Sequence, residues 1–174
     1  MRQIKIAITG PESSGKTTLS ESLNKYYKDS VLVSEFAREY LNKLNRKYQY
    51  SDLLKIAKGQ KEKELIEKKN NNKIIISDTT LQVIKIWSLE KHKKCDPWIL
   101  NNEGIYTHHL LCKPDFKWKP DPLRENPFDR DRLFDIYLKD LNKKPFTIVS
   151  GKKKSRFITA KKIIDHYLEI QKNM

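Results

Sequence analysis

Short apolar runs alternate with longer amphipathic stretches along the chain. The apolar runs predict five strands, over residues 3–9, 31–33, 74–78, 105–112 and 146–149. The stretches between them predict helices over residues 16–28, from 36, over 53–69 with Ser51 or Asp52 as its cap, and over 81–92, 131–141 and 155–172. Because strands alternate with helices, we expect an α/β fold with a parallel five-stranded sheet and helices on both faces.

The first predicted strand leads into a sequence that fits the pattern G-x-x-x-x-G-K-[ST]. It consists of Gly10, Pro11, Glu12, Ser13, Ser14, Gly15, Lys16 and Thr17. This is a P-loop sequence, in which backbone N–H groups at a helix N-terminus surround phosphate oxygens. In such a loop the lysine reaches the β- and γ-phosphates and the threonine hydroxyl binds Mg²⁺. The pattern therefore predicts a nucleotide site that uses Mg²⁺.

Carboxylates follow two other predicted strands. Glu35 comes just after the 31–33 run, and Asp78 ends the 74–78 run as the acid of a Walker B strand does, where it assists Mg²⁺. In open parallel sheets the carboxyl ends of the strands border the ligand crevice. From its position alone, Glu35 is equally well explained as a solvated residue or a helix cap.

Residues 113–132 are rich in proline and charge and lack a clear helix or strand pattern. Such a length indicates a functional loop, and its arginines could close over phosphates as a lid that excludes water. A proline-stiffened surface loop with solvated arginines is the alternative. Further on, Ser150 and Gly151 form a strand-to-helix turn near which an adenine ring could rest.

Length and charge narrow the class of protein. A chain of 174 residues suits one domain, so we expect a single domain over residues 1–174. The net charge is +14, but residues 1–87 carry 17 basic and 10 acidic residues and residues 88–174 carry 19 and 12. Because each half contributes +7 and no basic tail occurs, we expect a lysine-rich surface around an anion site and no nucleic-acid partner.

Cysteine, histidine and hydropathy patterns bear on metals and location. Cys95 and Cys112 are not in a C-x-x-C pair, which favours reduced thiols in a cytoplasmic protein. His108 and His109 are adjacent on a predicted strand and face opposite ways, so we interpret them as structural. The sequence begins without a charged-then-apolar leader, and no apolar run reaches the length of about 18 residues that spans a membrane. We therefore expect no membrane partner.

Four further motifs follow the P-loop in a specific order. They are Glu35-Phe36-Ala37-Arg38-Glu39, a partial Gly59-Gln60, Asp78-Thr79-Thr80 and Trp118-Lys119-Pro120-Asp121-Pro122-Leu123-Arg124. Together with the P-loop they resemble the nicotinamide riboside kinase domain of NadR-type proteins, over nearly the whole chain. The sequence departs at Thr80, where the family pattern has a second acid. It carries neither the repressor nor the adenylyltransferase region of the multifunctional members, so we do not expect DNA binding or dinucleotide synthesis.

The resemblance implies ATP-dependent phosphorylation of the 5′-hydroxyl of nicotinamide riboside, which yields nicotinamide mononucleotide for NAD salvage. Phosphoryl transfer requires positioning, charge stabilisation and a base for the hydroxyl proton. Glu35 is the candidate base or ribose ligand. Asp78 is its rival as the base and the stronger candidate for Mg²⁺. Lys16 and Arg124 complete the candidate catalytic set.

The resemblance also implies two groups of binding residues. Expected nucleotide contacts are Gly10, Glu12, Ser13, Ser14, Gly15, Lys16, Thr17, Thr18 and Arg130. Expected substrate contacts are Glu35, Arg38, Asp78, Trp87, Trp118 and Asp121. Among the arginines, Arg38, Arg124 and Arg130 are candidate phosphate clamps. Either tryptophan could stack on the cationic nicotinamide ring, although core packing or loop anchoring explains each equally well.

Three other functions remain open at this point. The chain could phosphorylate another nucleoside or small metabolite on the same scaffold. It could be a P-loop regulatory ATPase, which predicts slow hydrolysis without an acceptor. A nucleic-acid-binding protein would show strongly salt-dependent binding and a clustered basic face. The sequence does not define an oligomeric state.

Overall fold

Strands and helices alternate through residues 3–69 and 72–173, which are the residues that the computed structural model describes. The strands are β1 (Ile4–Thr9), β2 (Ser30–Val33), β3 (Ile74–Asp78), β4 (His108–Cys112) and β5 (Phe146–Val149). The helices are α1 (Lys16–Tyr26), α2 (Phe36–Asn42), α3 (Tyr50–Lys69), α4 (Leu81–His92), α5 (Pro97–Asn101), α6 (Arg130–Asp140) and α7 (Lys153–Lys172). A connecting segment, residues 113–129, joins β4 to α6.

The five strands form one parallel sheet in the order β2-β3-β1-β4-β5. In the register of the central strands, Ile8 of β1 lies beside Asp78 of β3 on one side and Leu110 of β4 on the other. The carboxyl ends of β1, β3 and β4 therefore meet at one edge of the sheet, where open α/β sheets bind their ligands. The predicted α/β class with a parallel five-stranded sheet is confirmed.

Helices cover both faces of this sheet, as predicted. Along β4, Leu110 packs in a buried cluster with Leu23 of α1 and Ile164 of α7. Its neighbour Leu111 packs in a second cluster with Phe134 of α6. Because adjacent strand residues point to opposite faces, α1 and α7 lie on one face and α6 on the other.

The structure corrects the start of α3. The helix begins at Tyr50, three residues before the predicted start, so neither Ser51 nor Asp52 is a cap outside it. Asp52 lies in the first turn, and its carboxylate accepts a hydrogen bond of 2.7 Å from the backbone N–H of Gln49. The side chain thus satisfies a free donor just outside the helix, as the acid of a capping box does. Arg46 holds the pKa of the Asp52 carboxyl well below its usual range.

Other predicted bounds shift by one to three residues, and one helix was not predicted. The strand predicted from Ile105 begins only at His108, since Ile105 is 84% exposed. Helix α1 ends at Tyr26 and α7 begins at Lys153, whereas the sequence predicted 28 and 155. The unpredicted helix is α5, whose N-cap Asp96 accepts from the backbone N–H of Trp98.

The two adjacent histidines lie on opposite faces of β4. His108 is hydrogen-bonded to Tyr167 of α7 and to Thr147 of β5. His109 packs edge-on against Tyr106, and burial lowers its pKa to about 4. Both rings are buried and held by neighbouring side chains, in agreement with the structural role predicted for them. In the described part of the chain, no helix is both long and apolar enough to cross a membrane.

Candidate functional site

The P-loop crosses from β1 to α1 in a conformation that depends on its glycines. Gly10 has φ 128° and Gly15 has φ 83°, both in the region that favours glycine. A Cβ atom on Gly10 would lie 2.6 Å from the backbone carbonyl oxygen of Cys112. The loop therefore packs directly against the carboxyl end of β4. Steric constraints on the backbone explain why both positions of the motif are glycine.

Side chains within the loop stabilise this conformation. The Lys16 ammonium donates to the carbonyl oxygens of Gly10, at 2.9 Å, and Pro11, at 2.7 Å. The buried Ser14 hydroxyl also donates to the carbonyl oxygen of Pro11, at 2.7 Å. A cation thus lies beside the N-terminus of α1, whose free N–H groups carry partial positive charge. Together they form a site suited to phosphate.

Asp78 lies behind the loop, close to the Thr17 side chain. The carboxylate is 3% exposed, and its Oδ1 atom is buried without a partner among the described residues. Burial raises the pKa of Asp78 to about 6, although Thr17 and Lys16 act in the opposite direction. A group that satisfied the free oxygen would therefore stabilise the charged carboxylate.

This pair of side chains fits Mg²⁺. A hydroxyl and a carboxylate supply the oxygen ligands that this ion prefers, and the unpartnered Oδ1 of Asp78 supports a cation nearby. Within residues 3–69 and 72–173, no group of three or more His, Cys, Asp or Glu residues could hold a metal. An ion bound by Thr17 and Asp78 would thus take its other ligands from water and phosphate, as Mg²⁺ does in kinases.

Gln60 joins the ends of β2 and β3. Its Oε1 atom accepts from the backbone N–H of Phe36 at 2.8 Å, and its amide nitrogen donates to the carbonyl oxygens of Ser34 and Thr79. The preceding Gly59 lies against the Phe36 ring, where a Cβ atom would approach to 2.2 Å. The partial Gly59-Gln60 motif therefore positions the two strand ends from which Glu35 and Asp78 extend.

A cavity of about 750 Å³ opens between the P-loop, the strand ends and the connecting segment. Most of the predicted site residues line it, namely Gly10, Glu12, Ser13, Ser14, Gly15, Lys16, Thr17, Thr18, Glu35, Arg38, Trp87 and Arg124. Four others lie outside its wall, namely Asp78, Trp118, Asp121 and Arg130. The cavity also has an apolar part, built from Leu41, Val83, Ile86, Trp87, Leu133 and Tyr137.

Three of the four residues outside the wall, Asp121, Arg130 and Trp118, have defined partners in or near the site. Asp121 pairs with Arg38 at 3.1 Å, and the Leu123 N–H and Arg38 hold the pKa of this carboxyl below its usual range. Arg130 lies over the Trp118 ring at 5.7 Å, and its guanidinium donates to backbone carbonyl oxygens of the P-loop and the connecting segment. Trp118 and Arg130 thus fasten the segment in this conformation.

Side chains of the P-loop also hold the connecting segment. The Glu12 carboxylate accepts from the backbone N–H groups of Glu125 and Asn126, both at 3.0 Å. The Ser13 hydroxyl accepts from the backbone N–H of Lys119 at 3.1 Å. Glu12 and Ser13, at positions that the P-loop pattern leaves unspecified, therefore link the phosphate loop to the segment that covers it.

Arg156 was not predicted as part of the site, yet it joins three of its loops. The side chain is 2% exposed and donates to the carbonyl oxygens of Ser14, Lys113 and Gly151 at 2.6–2.8 Å. Its guanidinium also lies 4.3 Å from the centre of the Phe116 ring. The sequence shows an arginine early in the last helix, but it does not show that this side chain is buried against the site.

The comparisons with known proteins agree with this geometry. A family profile described as AAA domain matches residues 5–156. The chain belongs to this AAA domain family. No curated protein matches the sequence significantly.

Solved structures show the same fold at low sequence identity. A NadR protein in complex with NR is 19% identical with a TM-score of 0.77, and the match covers 95% of this chain and 51% of that one. NadR in complex with NAD and AMP-PNP is 18% identical with a TM-score of 0.76, and the match covers 95% of this chain and 49% of that one. Deoxyadenosine kinase from M. mycoides, with dCMP and dCDP bound, is 17% identical with a TM-score of 0.67, and the match covers 94% of this chain and 100% of that one. The chain therefore spans about half the length of the NadR proteins. The predicted resemblance to NadR and the P-loop fold is confirmed at the level of the fold.

Proposed function

We propose that this AAA domain protein is an ATP-dependent kinase that phosphorylates the 5′-hydroxyl of nicotinamide riboside. The observation that carries the proposal is one cavity that brings together the P-loop, the carboxylate of Glu35 and an apolar wall containing Trp87. Such a cavity suits a phosphate donor and a flat, partly apolar acceptor. The fold shared with a NadR protein bound to NR, the abbreviation of nicotinamide riboside, supports this acceptor.

The nucleotide half of the site is assigned to the P-loop side of the cavity. Lys16 and the N–H groups at the start of α1 bind the β- and γ-phosphates, while Thr17 and Asp78 hold Mg²⁺. When bound, this ion neutralises charge on the phosphate oxygens. Phe157 and Lys153 of α7 line the same cavity, and we place the adenine ring beside them, near the turn at Gly151.

The acceptor half supplies the base. Glu35 is half-buried and lines the cavity, whereas Asp78 is buried behind the P-loop. We therefore assign the base to Glu35 and the metal contact to Asp78. As the 5′-oxygen bonds to the γ-phosphorus, the bond from that phosphorus to the β–γ bridging oxygen breaks, and the hydroxyl proton passes to Glu35. Arg124, which also lines the cavity, is placed as a clamp on the transferred phosphoryl group.

Charge pairing favours a nucleoside over a nucleoside monophosphate as the acceptor. Three cations of the cavity wall are already paired with acids, in Arg38–Asp121, Lys91–Glu125 and Arg132–Glu90. An acceptor phosphate placed at any of these three cations would have to compete with the paired carboxylate. A neutral or cationic nucleoside avoids this competition, and the face of Trp87 suits the positively charged nicotinamide ring.

ADP release from ATP and Mg²⁺ should depend on nicotinamide riboside and exceed the rate with ordinary nucleosides. A coupled assay with and without nicotinamide riboside, alongside a panel of ordinary nucleosides, measures this directly. Release with another nucleoside alone would keep the kinase and change its acceptor. Release without any acceptor would instead support the regulatory ATPase, and no release with any acceptor would overturn the proposed function.

Glu35→Gln should lower kcat by about a hundredfold while the affinity for ATP stays nearly constant, because the amide cannot accept the hydroxyl proton. Steady-state rates and ATP titrations separate the two effects. Glu39→Gln is the matched control, since Glu39 pairs with Lys63 and does not line the cavity. Turnover unchanged in Glu35→Gln would remove this residue from the mechanism and return Asp78 as the candidate base.

A further inference from the structure

Tyr48 belongs to none of the recognised motifs, yet its hydroxyl connects two parts of the site. It lies between α2 and α3 and is half-buried. The indole N–H of Trp87 donates to the Tyr48 hydroxyl at 2.9 Å, and that hydroxyl donates to the Glu125 carboxylate at 2.7 Å. One hydroxyl group thus bridges the apolar wall of the cavity and the connecting segment.

Glu125 continues this connection to the P-loop. Its carboxylate lies 3.1 Å from the Lys91 ammonium through both oxygens. Its backbone N–H donates to Glu12 of the P-loop at 3.0 Å. Hydrogen bonds therefore connect Trp87 through Tyr48 to the Glu125 side chain, and the Glu125 backbone is in turn hydrogen-bonded to the loop that binds phosphate.

The geometry around Tyr48 fixes the ring of Trp87 in one orientation. The two rings meet edge to face, with centroids 4.9 Å apart and an angle of 67° between their planes. Burial and the bond to Glu125 raise the pKa of Tyr48, so its hydroxyl stays protonated and able to donate. Without the hydroxyl, the indole N–H of Trp87 would lose its partner and the connecting segment would lose one of its attachments.

We infer that Tyr48 is a positioning residue for the phosphoryl acceptor, because its hydroxyl sets the plane of the Trp87 indole and fastens the connecting segment beside it. The identity of the acceptor rests on the proposed function. Tyr48 does not line the cavity itself, so it acts through Trp87 and Glu125, both of which do. Its effect should therefore fall on acceptor binding more than on ATP binding.

Tyr48→Phe keeps the ring and removes both hydrogen bonds. We expect the KM for nicotinamide riboside to rise about fivefold, with the KM for ATP and kcat changed by less than about twofold, since the neutral hydrogen bond that orients the Trp87 indole contributes roughly a factor of five. In the absence of ligands, cleavage by trypsin at Lys117 and Arg124 should also accelerate by about fivefold, because the segment opens more often. Mass spectrometry locates the cuts.

Tyr50→Phe is the matched control. Tyr50 packs against His92 with ring centroids 5.4 Å apart, and its hydroxyl makes no hydrogen bond to the described residues. This variant should leave both KM values and the cleavage rate unchanged. If Tyr48→Phe folds poorly, Glu125→Gln, which replaces the carboxylate acceptor of the hydroxyl, provides the cleavage test at Lys117, which is remote from residue 125 in sequence.

The possible results separate this inference from the proposed function. An active wild-type enzyme with unchanged acceptor KM and cleavage rate in Tyr48→Phe would overturn the role of Tyr48 and leave the kinase intact. An equal rise in both KM values, or a fall in kcat alone, would indicate a merely structural tyrosine and overturn it too. A wild-type protein that phosphorylates no nucleoside would overturn the proposed function together with the acceptor role.

Discussion

Lys16→Ala should lower kcat/KM for phosphoryl transfer by about a thousandfold, because the proposed kinase would lose the positive charge that faces the transferred phosphoryl group. The loop itself should survive. The Lys16 ammonium makes two charge-assisted hydrogen bonds to loop carbonyl groups, so its removal costs about 3 kcal/mol of folding free energy. The glycine conformations and the Ser14 bond that shape the loop remain.

Steady-state kinetics and thermal unfolding of the same samples test this prediction. Lys25→Ala is the matched control, since Lys25 lies exposed in the last turn of the same helix. It should retain full activity. A Lys16→Ala enzyme within about tenfold of the wild type would contradict the assignment of the P-loop lysine to the transition state. A variant that is inactive because it is unfolded would be recognised by its melting curve.

The parts of the site that the sequence predicted are those with local causes. The P-loop is defined by residue types at fixed spacing, and its glycines have positive φ angles that other residues rarely adopt. The strands of the central sheet are buried on both sides, so their apolar runs are continuous and easily recognised. Once the strands are parallel, Glu35 and Asp78 must lie at the same edge as the loop.

The parts that the sequence did not predict depend on contacts between distant residues. Arg156 donates to Ser14 across 142 positions. Tyr48 meets Glu125 across 77 positions. Each of these polar side chains has the same appearance in the sequence as a solvated surface residue. Their roles follow only from the folded chain, which brings loop residues that are distant in sequence beside them.

Short elements and orientations were also missed for physical reasons. Helix α5 spans only Pro97–Asn101, too few residues to show a helical period, although Asp96 and Pro97 are typical residues for a helix start. The arginines of residues 113–132 were recognised by type, but the sequence did not show where their side chains point. Arg130 donates to backbone carbonyl groups and lies outside the cavity, whereas Arg124 lines it.

Asp78→Asn should stabilise the ligand-free protein at neutral pH and nearly abolish its activity. Burial raises the pKa of Asp78 to about 6, so the folded protein bears a cost when this carboxyl ionises. A rise of about two units from the ordinary value near 4 corresponds to roughly 3 kcal/mol. The amide removes this cost, while phosphoryl transfer should slow by about a thousandfold because the proposed Mg²⁺ site would lose its carboxylate.

The pH dependence identifies the cause of the stabilisation. Below about pH 4 the carboxyl is protonated in both the folded and unfolded chains, so wild type and Asp78→Asn should then be equally stable. The cost of ionisation grows between about pH 4 and pH 6 and is complete above about 6, so the variant should show its full advantage near pH 7.5. Urea unfolding of both proteins, once below about pH 4 and once near pH 7.5, measures the difference in their free energies of unfolding. If the variant were more stable than the wild type by the same free energy at both pH values, the gain would come from packing. The buried charge of Asp78 would then not be the reason why this catalytic residue lowers stability.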